Sequence, residues 1–240
     1  MKPLTKTLWI VFFAVAMGYL ESAVVVYLRE LYYPEGFDFP LKAMTQTVAV
    51  TELYRELATL IMILAVSVLA AEFWLQRFAW FLVVFSVWDI AYYVFLKALI
   101  GWPASFFTTD ILFLLPSIWT GPVIAPVINS LTMILVAAVI LKKSKESNIF
   151  TRLSGMVWIL LGTGSLIVLI AYMIDFATFV LDYRHSLSSG DRSRDQNILY
   201  LSTQFIPRSF DWLLFFSGVS LHLAAIFLIV LRKAKSPATM

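Results

Sequence analysis

Six long apolar stretches decide what this chain can fold into. They run at about 8–28, 49–71, 76–100, 121–141, 153–181 and 209–231, each near or above the roughly 20 residues an α-helix needs to cross hydrocarbon. The third and fifth are long enough to tilt or to project beyond the bilayer. A water-soluble fold cannot absorb them. Of 240 residues, 61% are hydrophobic and 14% charged, and 15 acidic plus 18 basic side chains are too few to clothe a wet surface. The expected fold is all-α: a polytopic membrane bundle of about six helices, with residues 1–240 forming one integral membrane domain in a lipid bilayer.

The first stretch raises a second possibility. Lys2 and Lys6 precede it, and Ala14-Val15-Ala16 has the small-residue spacing of a signal-peptidase site. The apolar pattern continues through Leu28, which favours a retained span. The segment Gly101–Thr120 differs from the rest. Gly-Trp-Pro opens it, and its apolar core, Ile111 to Leu115, is too short to span. It is expected to be re-entrant or interfacial and packed on the bundle, because lipid cannot satisfy irregular backbone. Pro122 is then expected in the first turn of span four, and Pro126 is expected to kink it.

Lys and Arg give the orientation. With the N-terminus inside, Lys2, Lys6, Arg77, Lys142, Lys143, Lys145, Arg152, Arg232, Lys233 and Lys235 are cytoplasmic. Arg29, Lys42, Lys97, Arg184, Arg192, Arg194 and Arg208 lie opposite. The 10-to-7 bias, sharpest in the short Lys142–Arg152 loop, puts both termini in the cytoplasm of a cell-membrane protein. The one sizeable polar loop, Tyr183 to Arg208, contains a turn signal at Ser188-Ser189-Gly190-Asp191 and room for a surface helix around Asp195–Leu201.

Charges inside spans carry the functional information, since each costs at least about 2.5–3.5 kcal/mol near a helix centre. Glu21 lies about 20 Å along span one at 1.5 Å per residue. Glu52, Arg55 and Glu56 share a face at the start of span two. Asp89, Tyr93 and Lys97 form one stripe on span three, and Asp175 lies in span five. All fall in the outer halves of their spans, so one outward-facing polar compartment is predicted. Glu21, Glu52, Glu56, Asp89 and Asp175 against Arg55 and Lys97 leave a formal charge of −3. Either some carboxyls stay protonated or a cation is present.

Simpler roles compete. Arg55 suits a structural ion pair with Glu52 and Glu56. Lys97 suits snorkelling to headgroups. Arg29 and Asp211 suit water, and Asp211 also suits capping span six. His222 reads as a hydrogen-bonded core residue, and the small residues Gly162, Gly164 and Gly218 as points of close helix packing. The chain has no cysteine and two histidines, so thiolate metal sites and disulfides are excluded and a bis-His haem is disfavoured. A carboxylate-only site for Mg²⁺, Ca²⁺ or Mn²⁺ has no specifying motif, and no cofactor is indicated. No basic stripe with interleaved aromatics points to nucleic acid.

Three readings follow. The favoured one is binding or translocation of a small solute, cation or proton through the carboxylate cluster. The second is a non-catalytic subunit that meets partner membrane subunits or copies of itself. The third is an intramembrane enzyme on a lipid-linked substrate, with Glu56 and Asp89 as acid and base and Arg55 or Lys97 on a phosphate. No motif in the chain names a reaction.

Overall fold

The computed structural model describes residues 3–146, 153–186 and 198–231. The turn at Ser188–Asp191, the start of the proposed surface helix, and Lys2, Arg152, Arg192, Arg194, Arg232, Lys233 and Lys235 lie outside them.

The chain is an all-α bundle. Its elements are α1 Pro3–Tyr32, α2 Gln46–Ala70, α3 Trp74–Ile100, β1 Thr109–Phe113, β2 Trp119–Pro122, α4 Ile124–Glu146, α5 Gly155–Ser186, α6 Ile198–Ser202 and α7 Trp212–Leu231. Six of the helices are long and apolar enough to cross a membrane. They carry large apolar side chains on their outsides: Leu69 is 85% and Leu213 84% exposed. An apolar surface this extensive is untenable in water and natural in lipid. The protein is a multi-pass membrane protein.

Local signals set the helix ends. Thr45 Oγ1 accepts the Val48 N–H at 3.3 Å and caps α2. Gly101, at φ 69°, ends α3 in the left-handed conformation that glycine adopts freely. Asp211 Oδ1 accepts the Leu214 N–H at 2.9 Å, the expected cap of α7.

Close packing is built on small residues. A Cβ on Gly18 of α1 would stand 2.6 Å from Ala91 Cβ on α3. Ser22 Oγ donates to Gly18 O at 2.7 Å and to Tyr92 O at 2.9 Å across the same contact. Gly164 and Gly218 bring α5 and α7 equally close, and Ser165 Oγ lies 3.2 Å from His222 Nε2 in that interface. Gly162 has nothing near its missing Cβ, so only two of the three glycines serve packing.

The segment expected to be re-entrant or interfacial is a two-stranded antiparallel hairpin. Thr109 pairs with Pro122, Asp110 with Gly121, Ile111 with Thr120 and Phe113 with Trp119, with an irregularity between Ile111 and Phe113. Pairing satisfies the backbone groups that irregular chain would leave open. Two expectations for proline are corrected. Pro122 closes β2 rather than opening α4. Pro126 is the third residue of an unbroken α4, where its missing N–H is one that has no partner in a first turn, so no interior bond is lost to cause a kink.

Candidate functional site

The end of α1, the starts of α2 and α4 and the end of α3 meet at the hairpin end of the bundle. A cavity of about 350 Å³ lies there, between α1, α2, α3, α6, the hairpin tip and the α1–α2 connection. Of the residues singled out from sequence, Glu21, Glu52, Arg55, Glu56, Asp89 and Tyr93 line it. Lys97 and Asp175 do not.

Glu21, Glu52 and Arg55 form one ionic cluster. Arg55 Nε donates to Glu52 Oε2 at 2.9 Å, and its two terminal nitrogens reach Glu52 and Glu21. The planar guanidinium serves two carboxylates at once, Glu52 through two nitrogens and Glu21 through the third, a fork that the single nitrogen of a lysine does not present. Thr59 Oγ1 adds a weaker bond to Glu21 at 3.4 Å. All three charged side chains are at most 21% exposed, so their pairing is needed to offset desolvation.

Glu56 is buried and turns toward the hairpin. Its two oxygens accept the Leu114 N–H at 3.1 and 3.0 Å. Asp89 lies on α3, sixteen residues along its helix. Among the described residues it accepts one hydrogen bond, from Ser130 Oγ of α4 at 2.7 Å. Beside it is Trp88, 5% exposed, whose indole Nε1 has no hydrogen-bond partner among the described residues.

A second ionic group was not anticipated as part of the site. Arg29, read from sequence as lying in water, is 9% exposed. Its guanidinium stands 3.8 Å from the Trp102 ring centroid and 4.7 Å from that of Phe37, an arrangement with cation–π character. It is also 3.5 Å from Asp110 Oδ1. Tyr93 Oη donates to Asp110 Oδ2 at 3.3 Å. Burial pushes the Asp110 carboxyl up to about 7, against the opposing pull of Arg29. Arg29 was legible: Glu21, Val25 and Arg29 are spaced i, i+4, i+8 and share a face of α1. Asp110 was not, because only the hairpin register turns it inward.

Lys97 is exposed, and Nζ donates to Gly101 O at 2.9 Å and Pro103 O at 2.8 Å. A cation satisfies the free carbonyls at the end of α3 there. Asp175 accepts the Arg208 N–H at 2.9 Å and borders a separate small cleft with Thr109 and Gly121. Its helix face turns it away from the cavity. Arg29 and Asp110 take the places expected of Lys97 and Asp175, and the formal balance keeps the same value. Five carboxylates face two guanidiniums, with Lys42 exposed at the rim.

No protein-family model, no curated protein and no solved structure matches this chain.

Proposed function

We propose that the protein binds a small organic cation in this cavity, and that the cavity end faces away from the cytoplasm. One observation carries the reading. Both guanidiniums are engaged, Arg55 by Glu21 and Glu52 and Arg29 by Asp110, while Asp89 keeps a carboxylate with no cationic partner among the described residues. An unmatched carboxylate in a cavity is costly, and a bound cation offsets that cost.

The size and walls favour an organic cation over a bare ion. The volume lies within the range of small-molecule pockets, about 300–1,000 Å³. Val25, Leu112 and Trp88 supply apolar wall, and among the described residues no three acidic or histidine side chains gather as metal ligands. The orientation rests on the positive-inside bias of the sequence. Passage across the bilayer is a further step. Below the cavity Ile63, Trp80 and Val84 are buried against one another's helices, so transport requires those helices to move.

The test uses the full chain in lipid nanodiscs. Thermal unfolding is followed with butylammonium, tetramethylammonium and butyrate. The ammonium ions should raise Tm, butyrate should not, and Asp89→Asn should remove the rise. An equal effect of butyrate, or an unchanged ammonium effect in Asp89→Asn, would refute the reading.

A further inference from the structure

Packed structure surrounds much of the cavity, with Leu199 and Ser202 of α6 lining one part of it. Toward the water, the α1–α2 connection folds over it: the Lys42 N–H donates to Tyr33 Oη at 2.7 Å. Phe37 meets the Tyr33, Phe39 and Trp102 rings at 5.1, 5.4 and 6.3 Å between centroids. Toward the opposite end, Trp88 of the cavity wall packs into a buried cluster with Ile63, Trp80 and Val84. Behind, α1 is pressed on α3 at Gly18 and Ser22.

Another part of the wall is the seam between α1 and α2. These helices touch sparsely, in contrast to the close α1–α3 packing. Arg55 and its two carboxylates bridge them. Beyond that bridge Val25, Leu28, Ala49 and Leu53 line the cavity. Leu53 is also 42% exposed, so it belongs to the cavity wall and to the outer surface together. A sparsely packed seam between two membrane-crossing helices borders acyl chains, and its apolar lining suits them.

We propose that the ligand is an amphiphilic ammonium compound, which enters sideways between α1 and α2, sets its cationic group against Asp89 and leaves its alkyl chain in the seam. The inference rests on the cation-binding reading and adds the route and the chain. Among the described residues Asp89 accepts a hydrogen bond from Ser130 alone, and a carboxylate can take more. Trp88 offers the ammonium its ring. Amine-headed membrane lipids and free long-chain amines share this chemistry.

Two photoreactive probes separate these sources: a long-chain alkylamine and a phosphatidylethanolamine, each with a diazirine in its chain. They are cross-linked to the full chain in nanodiscs, and the labelled residues are located by mass spectrometry. Labelling of Val25, Leu28 or Leu53 is expected, reduced about tenfold or more in Asp89→Asn. Leu53→Trp, which narrows the seam with another apolar residue, should reduce labelling by the long-chain probes similarly. Labelling by both probes identifies a lipid headgroup as a ligand, and labelling by the amine alone identifies a free amphiphile. Labelling that survives both substitutions, or avoids the seam, overturns the lateral route; if butylammonium still stabilises the protein, the cation site stands without it. Loss of both effects in the unmodified protein removes both readings.

Discussion

The Glu56 carboxylate of α2 and the backbone N–H of Leu114, 58 residues apart, are joined by hydrogen bonds to both carboxylate oxygens. This fastens the hairpin tip to the helix on the far side of the cavity. The hairpin base is held independently, by Val123 N–H to Thr108 O at 3.0 Å and Ile124 N–H to Phe106 O at 2.8 Å. Glu56→Ala should therefore free the tip and leave the base in place. Amide exchange should accelerate at Leu114–Ile118 and not at Thr108 or Val123. The cost should be about 1.5–3 kcal/mol, as for other hydrogen bonds to a charged group. Glu56→Gln, which keeps an acceptor, should cost less.

Arg55 holds two carboxylates from two helices. Arg55→Gln leaves both acids without their cation and should destabilise by about 3–5 kcal/mol. The double variant Arg55→Gln, Glu21→Gln should recover part of this loss, because one stranded charge is removed. Unfolding measured across the full mutant cycle checks the sign of the coupling. Additive losses would mean the cluster is not a unit.

Asp110 gives the protein a pH dependence. Its folded pKa of about 7 exceeds the value of about 3.9 expected in an unfolded chain. Between these values the folded state binds the extra proton, so stability falls as pH rises from about 4 to about 7 and levels off above. The slope is at most about 1.4 kcal/mol per pH unit. Asp110→Asn should flatten that part of the Tm–pH curve. Arg29→Gln should move the titration higher, since Arg29 is the charge that opposes the shift. An Asp110→Asn curve parallel to that of the unmodified protein would contradict this.

Gly18 sets the distance between α1 and α3. An added methyl would meet Ala91 Cβ at 2.6 Å and Trp88 O at 2.9 Å, and the latter is backbone that cannot step aside. Gly18→Ala should cost about 1–3 kcal/mol by overpacking. It should also displace Trp88 and Asp89 relative to Glu21 and weaken butylammonium binding. Gly162→Ala, with open space at its Cβ, should be tolerated and serves as the matched comparison.

Asp175 offers a comparison among the acids. Its carboxylate faces the Arg208 backbone and not the cavity. Asp175→Asn retains an acceptor for that N–H, so both stability and ammonium binding should stay close to those of the unmodified protein. A loss of binding as large as that of Asp89→Asn would show that the two acids act together.

Composition and apolar run length determined the helical bundle by themselves, because a 20-residue apolar run has few alternatives to a membrane helix. Helical spacing was also enough to bring Glu52, Arg55 and Glu56 to one face, and to set Asp89 in line with Tyr93. It held Arg29 too, in line with Glu21, although isolated charge near a span end reads as solvated. Tertiary structure alone decided which charges meet. Lys97 shares the Asp89 face in helical spacing, yet the end of α3 at Gly101 gives it carbonyls to bond. Asp175 has the depth of the others and the wrong azimuth. Asp110 enters through strand pairing across an apolar segment too short to carry a clear pattern. The reason is physical: sequence period fixes a residue's position on its own helix, whereas azimuth toward a neighbour is set by how the helices pack, through contacts such as Gly18 against Ala91 that are far apart in the chain.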